Sequence, residues 1–202
     1  MATFKITLLT VVTTLLAVAC VSNREKPISS AVPAQSGPQW SYSGATGPSH
    51  WAELSPDWSL ASEGRQQSPV DIKEARLTST LYPLEFSYQP GPIRLFNSGH
   101  TIQHLHPAGS RVRVGTQEFM LKHLHFHARS EHKINGKAFP LEMQLVHESG
   151  NGSLLVIGVL FEVGQENAFL SRLWNELPVA PGTVVQGTGA LIDPENGLPV
   201  SR

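Results

Sequence analysis

Residues 118–128, EFMLKHLHFHA, alternate in side-chain character along their length and decide the fold class. A period of two predicts a β-strand, because successive side chains of a strand point to opposite faces. One predicted face of this strand carries Phe119, Leu121, His123, His125 and His127. The other predicted face carries Met120, Lys122, Leu124 and Phe126. Three histidines would then project from the same face.

The flanking sequence predicts further strands and one helix. Residues 141–147, between Pro140 and Gly150, alternate again, and residues 153–161 are almost continuously apolar, which is typical of a strand buried on both faces. Residues 165–177 have apolar side chains at helical spacing, and Pro178 ends that pattern. Since consecutive strands usually pair as antiparallel neighbours, the predicted fold is mainly β or α+β, with the sheet predominant.

The composition limits the classes of partner. The chain has 202 residues, of which 40% are hydrophobic, and its formal net charge is -1. This favours one globular domain with an apolar core. It argues against nucleic acid as a partner, because binding phosphates requires clustered Lys and Arg. The composition identifies no protein partner.

The N-terminal residues predict an export signal rather than part of the fold. After Lys5, residues 6–19 are uncharged and mostly apolar, a run shorter than the ~20 residues that span a bilayer. The sequence Leu16-Ala-Val-Ala-Cys20 resembles a bacterial lipobox, in which the cysteine is lipidated; the alternative is cleavage elsewhere, with loss of Cys20. We therefore expect a signal peptide over residues 1–20, a flexible tether over 21–38, and a domain over 39–202. The protein would be periplasmic or anchored to the outer membrane, with a lipid on Cys20 as its only membrane contact.

Histidine is concentrated in one part of the chain. Eight of the nine histidines lie between His100 and His147. Within this group, the rings of His125 and His127 would project from one strand face about 6–7 Å apart along the chain. With a third ligand from a neighbouring strand, such a pair can build a zinc site that keeps one open position. The alternative interpretation of any His-x-His is a polar strand face.

Seven short stretches resemble the alpha-class carbonic anhydrases and occur in that family's order. They are Trp40-Ser-Tyr42, Gly47-Pro-Ser-His50-Trp51, Gln67-Ser-Pro-Val-Asp-Ile72, Asn97-Ser-Gly-His100, His125-Phe-His127, Ser130-Glu131 and Phe139-Pro-Leu-Glu142. The resemblance implies a twisted, largely antiparallel central sheet with few short helices. It also implies the reversible hydration of carbon dioxide to bicarbonate and a proton, through hydroxide on a zinc ion that lowers the pKa of its bound water.

The resemblance also implies roles for single residues. His125 and His127 match the first two zinc ligands, and His100 matches the proton shuttle, which suits an imidazole with a pKa of ~6.5. Glu131 matches the acid that orients an active-site threonine, and Glu142 matches the acid that hydrogen-bonds a zinc ligand. Either carboxylate could instead be an ordinary residue of a strand face. Val146 and Val156 match the carbon dioxide pocket, although a core role explains a strand valine equally well.

The chain departs from the family at two places. The third ligand position holds Gln144, whose amide oxygen is a poorer zinc ligand than imidazole. Strand alternation places His147 on the wrong face to replace it, whereas His123 has the correct face and could hydrogen-bond a ligand. No Thr-Thr-Pro-Pro segment occurs in the sequence, so we expect the C-terminal strands of the family domain to be missing. The alternative functions are a non-catalytic carbonic anhydrase-like surface or binding protein, and a truncated inactive product.

Overall fold

The computed structural model describes residues 4–7, 12–15, 38–76 and 81–199. The predicted lipidation site Cys20 and almost all of the predicted tether lie outside these residues, and both stay predictions. No helix in the described part of the chain is long and apolar enough to cross a bilayer.

The first part of the domain consists of short helical turns. Three 3-10 helices and two one-turn α-helices follow one another: Gly44–Thr46, Pro48–His50, α1 (Trp51–Leu54), Pro56–Trp58 and α2 (Leu60–Glu63). Pro48 and Pro56 each start a 3-10 turn, where a missing backbone N–H costs nothing. This segment supplies aromatic side chains rather than sheet.

Thirteen strands are present in the described residues. They are β1 (Phe4–Thr7), β2 (Val12–Leu15), β3 (Asp71–Ile72), β4 (Leu84–Ser87), β5 (Gly91–Asn97), β6 (Ile102–Leu105), β7 (Arg111–Val114), β8 (Gln117–His127), β9 (Lys133–Ile134), β10 (Lys137–Ala138), β11 (Leu141–Ser149), β12 (Leu154–Val163) and β13 (Val184–Ile192). The remaining helices are α3 (Ala168–Trp174) and the 3-10 turn Pro194–Gly197. The strands and helix predicted over 118–128, 141–147, 153–161 and 165–177 all exist, with the helix shorter than predicted.

The strands form one large sheet and one small one. The large sheet has the order β1-β12-β11-β8-β6-β5-β13, with β2 also on β12 and with β4 and β7 attached through β8. Every pairing in it is antiparallel, whereas the small sheet β10-β9-β3 contains one parallel pair. The predicted sheet-dominated, largely antiparallel fold with few short helices is confirmed. β1 and β2 fall within the predicted signal peptide and pair with the outer edge of β12.

The predicted face of β8 was wrong for Phe119 and Leu121. Val146 of β11 pairs with His123, but the next residue, His147, pairs with Leu121, so Lys122 is an extra residue, a β-bulge. The bulge reverses the alternation along the strand. Phe119 and Leu121 therefore join Leu124 and Phe126 in the core, while the histidines face the other way.

The core lies on the face of the sheet opposite to those histidines. Alternate residues of β11 and β12 fill it, and α3 covers it. α3 starts after Asn167, whose side-chain oxygen accepts a hydrogen bond from the backbone N–H of Leu170, and buries one side against the sheet. The buried residues of α3 are Phe169, Leu170 and Leu173.

Candidate active site

A cavity of about 580 Å³ lies over the histidine face of β8. The helical turns of the first part of the domain form one wall, and strands β6 and β8 form the floor. Most of the wall is aromatic, and the polar groups that enter the cavity are the histidines, one carboxylate, Thr101 and Gln103. Its lining consists of Trp40, Tyr42, Trp51, Trp58, Ala61, Thr101, Gln103, His123, His125, His127 and Glu131.

Three histidines form a row on the cavity floor. The ring centroids of His123 and His125 are 5.4 Å apart, and those of His125 and His127 are 4.9 Å apart. Regular alternation from His123 to His127 places all three rings on one face, and the bulge at Lys122 puts that face opposite to Phe119 and Leu121. His127 is 9% exposed, and its Nε2 is buried without a hydrogen-bond partner in the described residues. This nitrogen is therefore available to a ligand.

Burial keeps these histidines neutral. It lowers the pKa of His123 and His125 to about 4 each, and the neighbouring imidazole in the row lowers each further. Burial also lowers the pKa of His127, although the nearby charge of Glu142 opposes the shift. All three rings therefore keep a free lone pair at neutral pH.

Glu131 is tied to the aromatic wall and to the histidine row. Its Oε1 accepts a hydrogen bond of 2.9 Å from the Tyr42 hydroxyl, which also lies 3.3 Å from Nδ1 of His127. Its Oε2 lies 3.2 Å from Nε2 of His127. Burial raises the pKa of Glu131, although the hydrogen bonds from Tyr42 and Gln144 oppose that shift.

Glu142 is fully buried and bonded mainly to one segment. Its Oε1 lies 2.6 Å from Nδ1 of His132, and its Oε2 accepts hydrogen bonds from the backbone N–H groups of Glu131 and His132. Burial alone would raise its pKa, but the hydrogen bonds and charge of His132 bring it below its ordinary value. Of the three predicted metal positions, Glu142 hydrogen-bonds only Gln144.

Gln144 lies directly across from His125 in the pairing of β11 with β8. It is 8% exposed, and its Nε2 donates to Glu131 Oε2 at 3.0 Å and to Glu142 Oε1 at 3.2 Å. The predicted third position is thus on the correct face and next to the histidines. Its side chain connects the two carboxylates.

Comparisons with known proteins find relatives that share this fold. The family model of the eukaryotic-type carbonic anhydrases matches residues 46–188, which is more than half of the chain. The chain belongs to the eukaryotic-type carbonic anhydrase family. The region matched includes the histidine row and both carboxylates.

Individual carbonic anhydrases support the same assignment. The chain is 40% identical over 139 residues to a carbonic anhydrase of Pectobacterium atrosepticum, covering 69% of this chain and 57% of that protein. It is 38% identical over 167 residues to one of Nostoc sp., covering 81% and 63%. The structure of an alpha-carbonic anhydrase of Thermovibrio ammonificans with the inhibitor sulfanilamide matches with a TM-score of 0.77 at 41% identity, covering 83% and 74%. The chain thus spans less than two thirds of the length of these two curated relatives.

The remaining predicted site residues lie at the rim of the cavity or outside its lining. The ring of His100 stacks on Trp40 with centroids 4.0 Å apart, and Trp40 lines the cavity, so His100 stands at its rim. Val146 pairs with His123 across the strands and with Val156 on its other side, on the histidine face. Neither valine lines the cavity.

His147 lies on the opposite face, as strand alternation predicts. It is fully buried, its Nε2 is 2.8 Å from the Tyr88 hydroxyl, and its Nδ1 is 3.2 Å from the carbonyl oxygen of Leu155. Both ring nitrogens therefore have partners in the core. The structure gives His147 no access to the cavity.

Sequence reasoning missed two residues of the site. His132 is the main partner of Glu142 in the structure. In the sequence it directly follows Glu131, and this adjacency was the available signal. Tyr42 was noted as part of a motif without a role, and its contact with His127 spans 85 residues of sequence. No periodicity in the sequence could pair residues that far apart.

Proposed function

We propose that the protein catalyses the reversible hydration of carbon dioxide to bicarbonate and a proton. One observation carries the proposal: His125 and His127 stand side by side on the cavity floor, with the buried Nε2 of His127 unpartnered among the described residues. Membership of the carbonic anhydrase family supports it. The substrate is small and apolar, in keeping with a mostly aromatic cavity wall.

Zinc fits the site at two of its three expected positions. His125 and His127 would hold the ion, because both imidazoles are neutral at neutral pH and aim into a common cavity. At the third position, the amide of Gln144 is a weaker donor. When bound, zinc supplies a Lewis acid that activates water near neutral pH.

The protein's own residues position the reactants and move the proton. The aromatic wall flanks the histidine row and makes its surroundings less polar, which strengthens the electrostatic interactions there. His100 is placed at the rim, half-buried against Trp40, where an imidazole can accept a proton from inside and release it to bulk solvent. Tyr42 fixes the carboxylate of Glu131 beside His127.

The test is carbon dioxide hydration by the full chain loaded with zinc. We expect turnover that an aromatic sulfonamide inhibits, and its loss in His127→Ala. His50→Ala changes an exposed histidine that lies outside the cavity lining, and it should keep the activity. A folded, zinc-loaded chain without hydration activity would refute the proposal and favour the non-catalytic alternative.

We also propose that the protein is exported and anchored through lipid on Cys20, in the periplasm or at the outer membrane. The apolar run over residues 6–19 and the small residues before Cys20 support this. Membrane fractionation tests it, since Cys20→Ser should move the protein from the membrane to the soluble fraction. An unchanged distribution would contradict lipid anchoring.

A further inference from the structure

The side chain of Gln144 is already committed to other residues of the protein. Its Nε2 donates to both Glu131 and Glu142, and a further hydrogen bond joins its amide to the ring of His125. An amide nitrogen is a donor and offers a metal no lone pair, and an amide oxygen is not among the usual zinc ligands. Gln144 thus occupies the third position of the site, but its side chain links Glu131 and Glu142 by hydrogen bonds.

Glu131 has the contact with His127 that a shared metal ion would require. Its Oε2 is 3.2 Å from Nε2 of His127, yet this nitrogen makes no hydrogen bond within the described residues. Two ligand atoms at the usual zinc distances of 2.0–2.2 Å, placed at tetrahedral angles, are about 3.3 Å apart. The spacing of these two atoms matches one edge of such a tetrahedron.

The second nearby carboxylate is not free to take this role. Each oxygen of Glu142 has two hydrogen-bond partners: one has His132 and Gln144, and the other has two backbone N–H groups. Within the described part of the chain, each oxygen of Glu131 accepts a single hydrogen bond. Glu142 is also absent from the cavity lining, whereas Glu131 lines the cavity beside the histidines. Of these two carboxylates, Glu131 is therefore the one that reaches both the cavity and the Nε2 of His127.

We propose that Glu131 supplies the third zinc ligand, so that His125, His127 and Glu131 form a two-histidine, one-carboxylate site. Gln144 then serves as a positioning residue, whose Nε2 holds the Glu131 carboxylate in place by hydrogen bonding. Two histidines and a glutamate with an open fourth position are an established catalytic zinc arrangement in other enzymes. The inference deepens the proposed function, because it assumes that the same site holds zinc.

Metal binding must rearrange one part of the site. Among the described residues, no three His, Cys, Asp or Glu side chains already form a group that could hold a metal ion. The ring of His125 is hydrogen-bonded to Gln144, so it is the ligand that would have to change its partner. Binding would exchange that hydrogen bond for a bond to zinc, while His127 and Glu131 already have the required spacing.

Zinc affinity of the full chain, measured by competition with a chromophoric chelator, tests the assignment. Glu131→Gln keeps the size of the side chain and removes its charge, and it should lower the zinc affinity by more than about 100-fold. Gln144→Met removes only the positioning hydrogen bonds and should lower the affinity by about 10-fold, as loss of an outer partner does. Glu118→Gln changes a surface carboxylate on β8, the strand that carries His125 and His127, and as the matched control it should leave the affinity unchanged.

The ranking of the variants decides the outcome. A larger loss in Gln144→Met than in Glu131→Gln would overturn the proposal, and so would a wild-type chain that binds no zinc. If Glu131→Gln fails to fold, Glu131→Asp keeps the charge on a shorter arm, and an unaltered zinc affinity in this variant would likewise overturn it. Zinc binding with the expected ranking but without hydration of carbon dioxide would support this assignment while refuting the proposed function.

Discussion

Two groups of histidines occupy opposite faces of the same sheet and have different neighbours. His123, His125 and His127 face the cavity, and their neighbours are carboxylates, an amide and each other. His104 and His147 are fully buried in the core, and each has a ring nitrogen within hydrogen-bond distance of a backbone carbonyl oxygen. The crowding of histidine in the sequence therefore has two causes. The face of the strand, rather than the count, separates functional histidines from structural ones.

The largest expected effect is on the free energy of unfolding, which should fall much more for a substitution on the core face than for one on the cavity face. His147→Ala leaves a cavity in the core and removes the partner of the Tyr88 hydroxyl, so the free energy of unfolding should fall by about 4 kcal/mol. His123→Ala, on the cavity face, should cost at most about 1 kcal/mol. Urea unfolding of the full chain measures both. Equal losses would show that the two faces contribute alike to stability.

The pH dependence of stability follows from the core histidines. Burial lowers the pKa of His104 and His147 to about 4, so the unfolded chain binds more protons than the folded one between pH 4 and 6.5. Stability should therefore fall as the pH drops through that window, by about 3 kcal/mol for each histidine at its lower end. His123, His125 and His106 act in the same direction. Burial lowers the pKa of His106 as well, although a hydrogen bond with the Gln89 backbone and the charge of Asp193 oppose part of that shift.

Urea unfolding at several pH values measures this effect. His104→Gln should reduce the slope of stability against pH by up to one proton in this window. A slope that does not change would contradict the assignment of His104 as a neutral core residue.

A cavity-side histidine should affect the rate rather than the stability. His100→Ala removes the proton acceptor at the rim and should lower carbon dioxide hydration by about 100-fold, with little change in unfolding. Added imidazole buffer should restore part of the lost rate, because it can carry the same proton. An unaltered rate in weakly buffered solution would remove His100 from the proton path.

Two tyrosines give the smallest and most closely matched comparison. Tyr88 contacts a core histidine and Tyr42 contacts a cavity histidine, each through its hydroxyl group. Tyr88→Phe leaves a buried nitrogen of His147 unpaired and should cost about 2 kcal/mol of stability, whereas Tyr42→Phe should cost less than about 1 kcal/mol. Thermal or urea unfolding of the two variants decides the order, and a reversed order would contradict the distinction between the faces.

The regular parts of the fold could be predicted from the sequence because they depend on local alternation. The strands around the histidine row follow from a period of two, and the strand after residue 153 follows from a nearly continuous apolar run. The position of Gln144 opposite His125 follows from simple antiparallel pairing of neighbouring strands. The bonding of its amide could not be predicted, since it depends on where two carboxylates from separate segments point.

The errors and omissions share one physical origin, which is contact between distant residues. The prediction for the face of Phe119 and Leu121 was wrong because β8 contains one residue more than the paired part of β11. The composition of the strand does not reveal this extra residue. The role of Tyr42 depends on helical turns that fold across the end of the sheet. The pairing of His132 with Glu142 depends on a loop that returns along β11.

The bulge at Lys122 makes the length of this segment as important as its composition. If alternation instead ran regularly through Lys122, either the imidazoles or the leucine and phenylalanine before them would have to exchange sides. An apolar patch would then enter the cavity, or imidazole rings would be forced into the hydrophobic core. Because Lys122 is the extra residue, a frame-preserving deletion of Lys122 alone would remove the bulge and still leave both groups of side chains on their present faces.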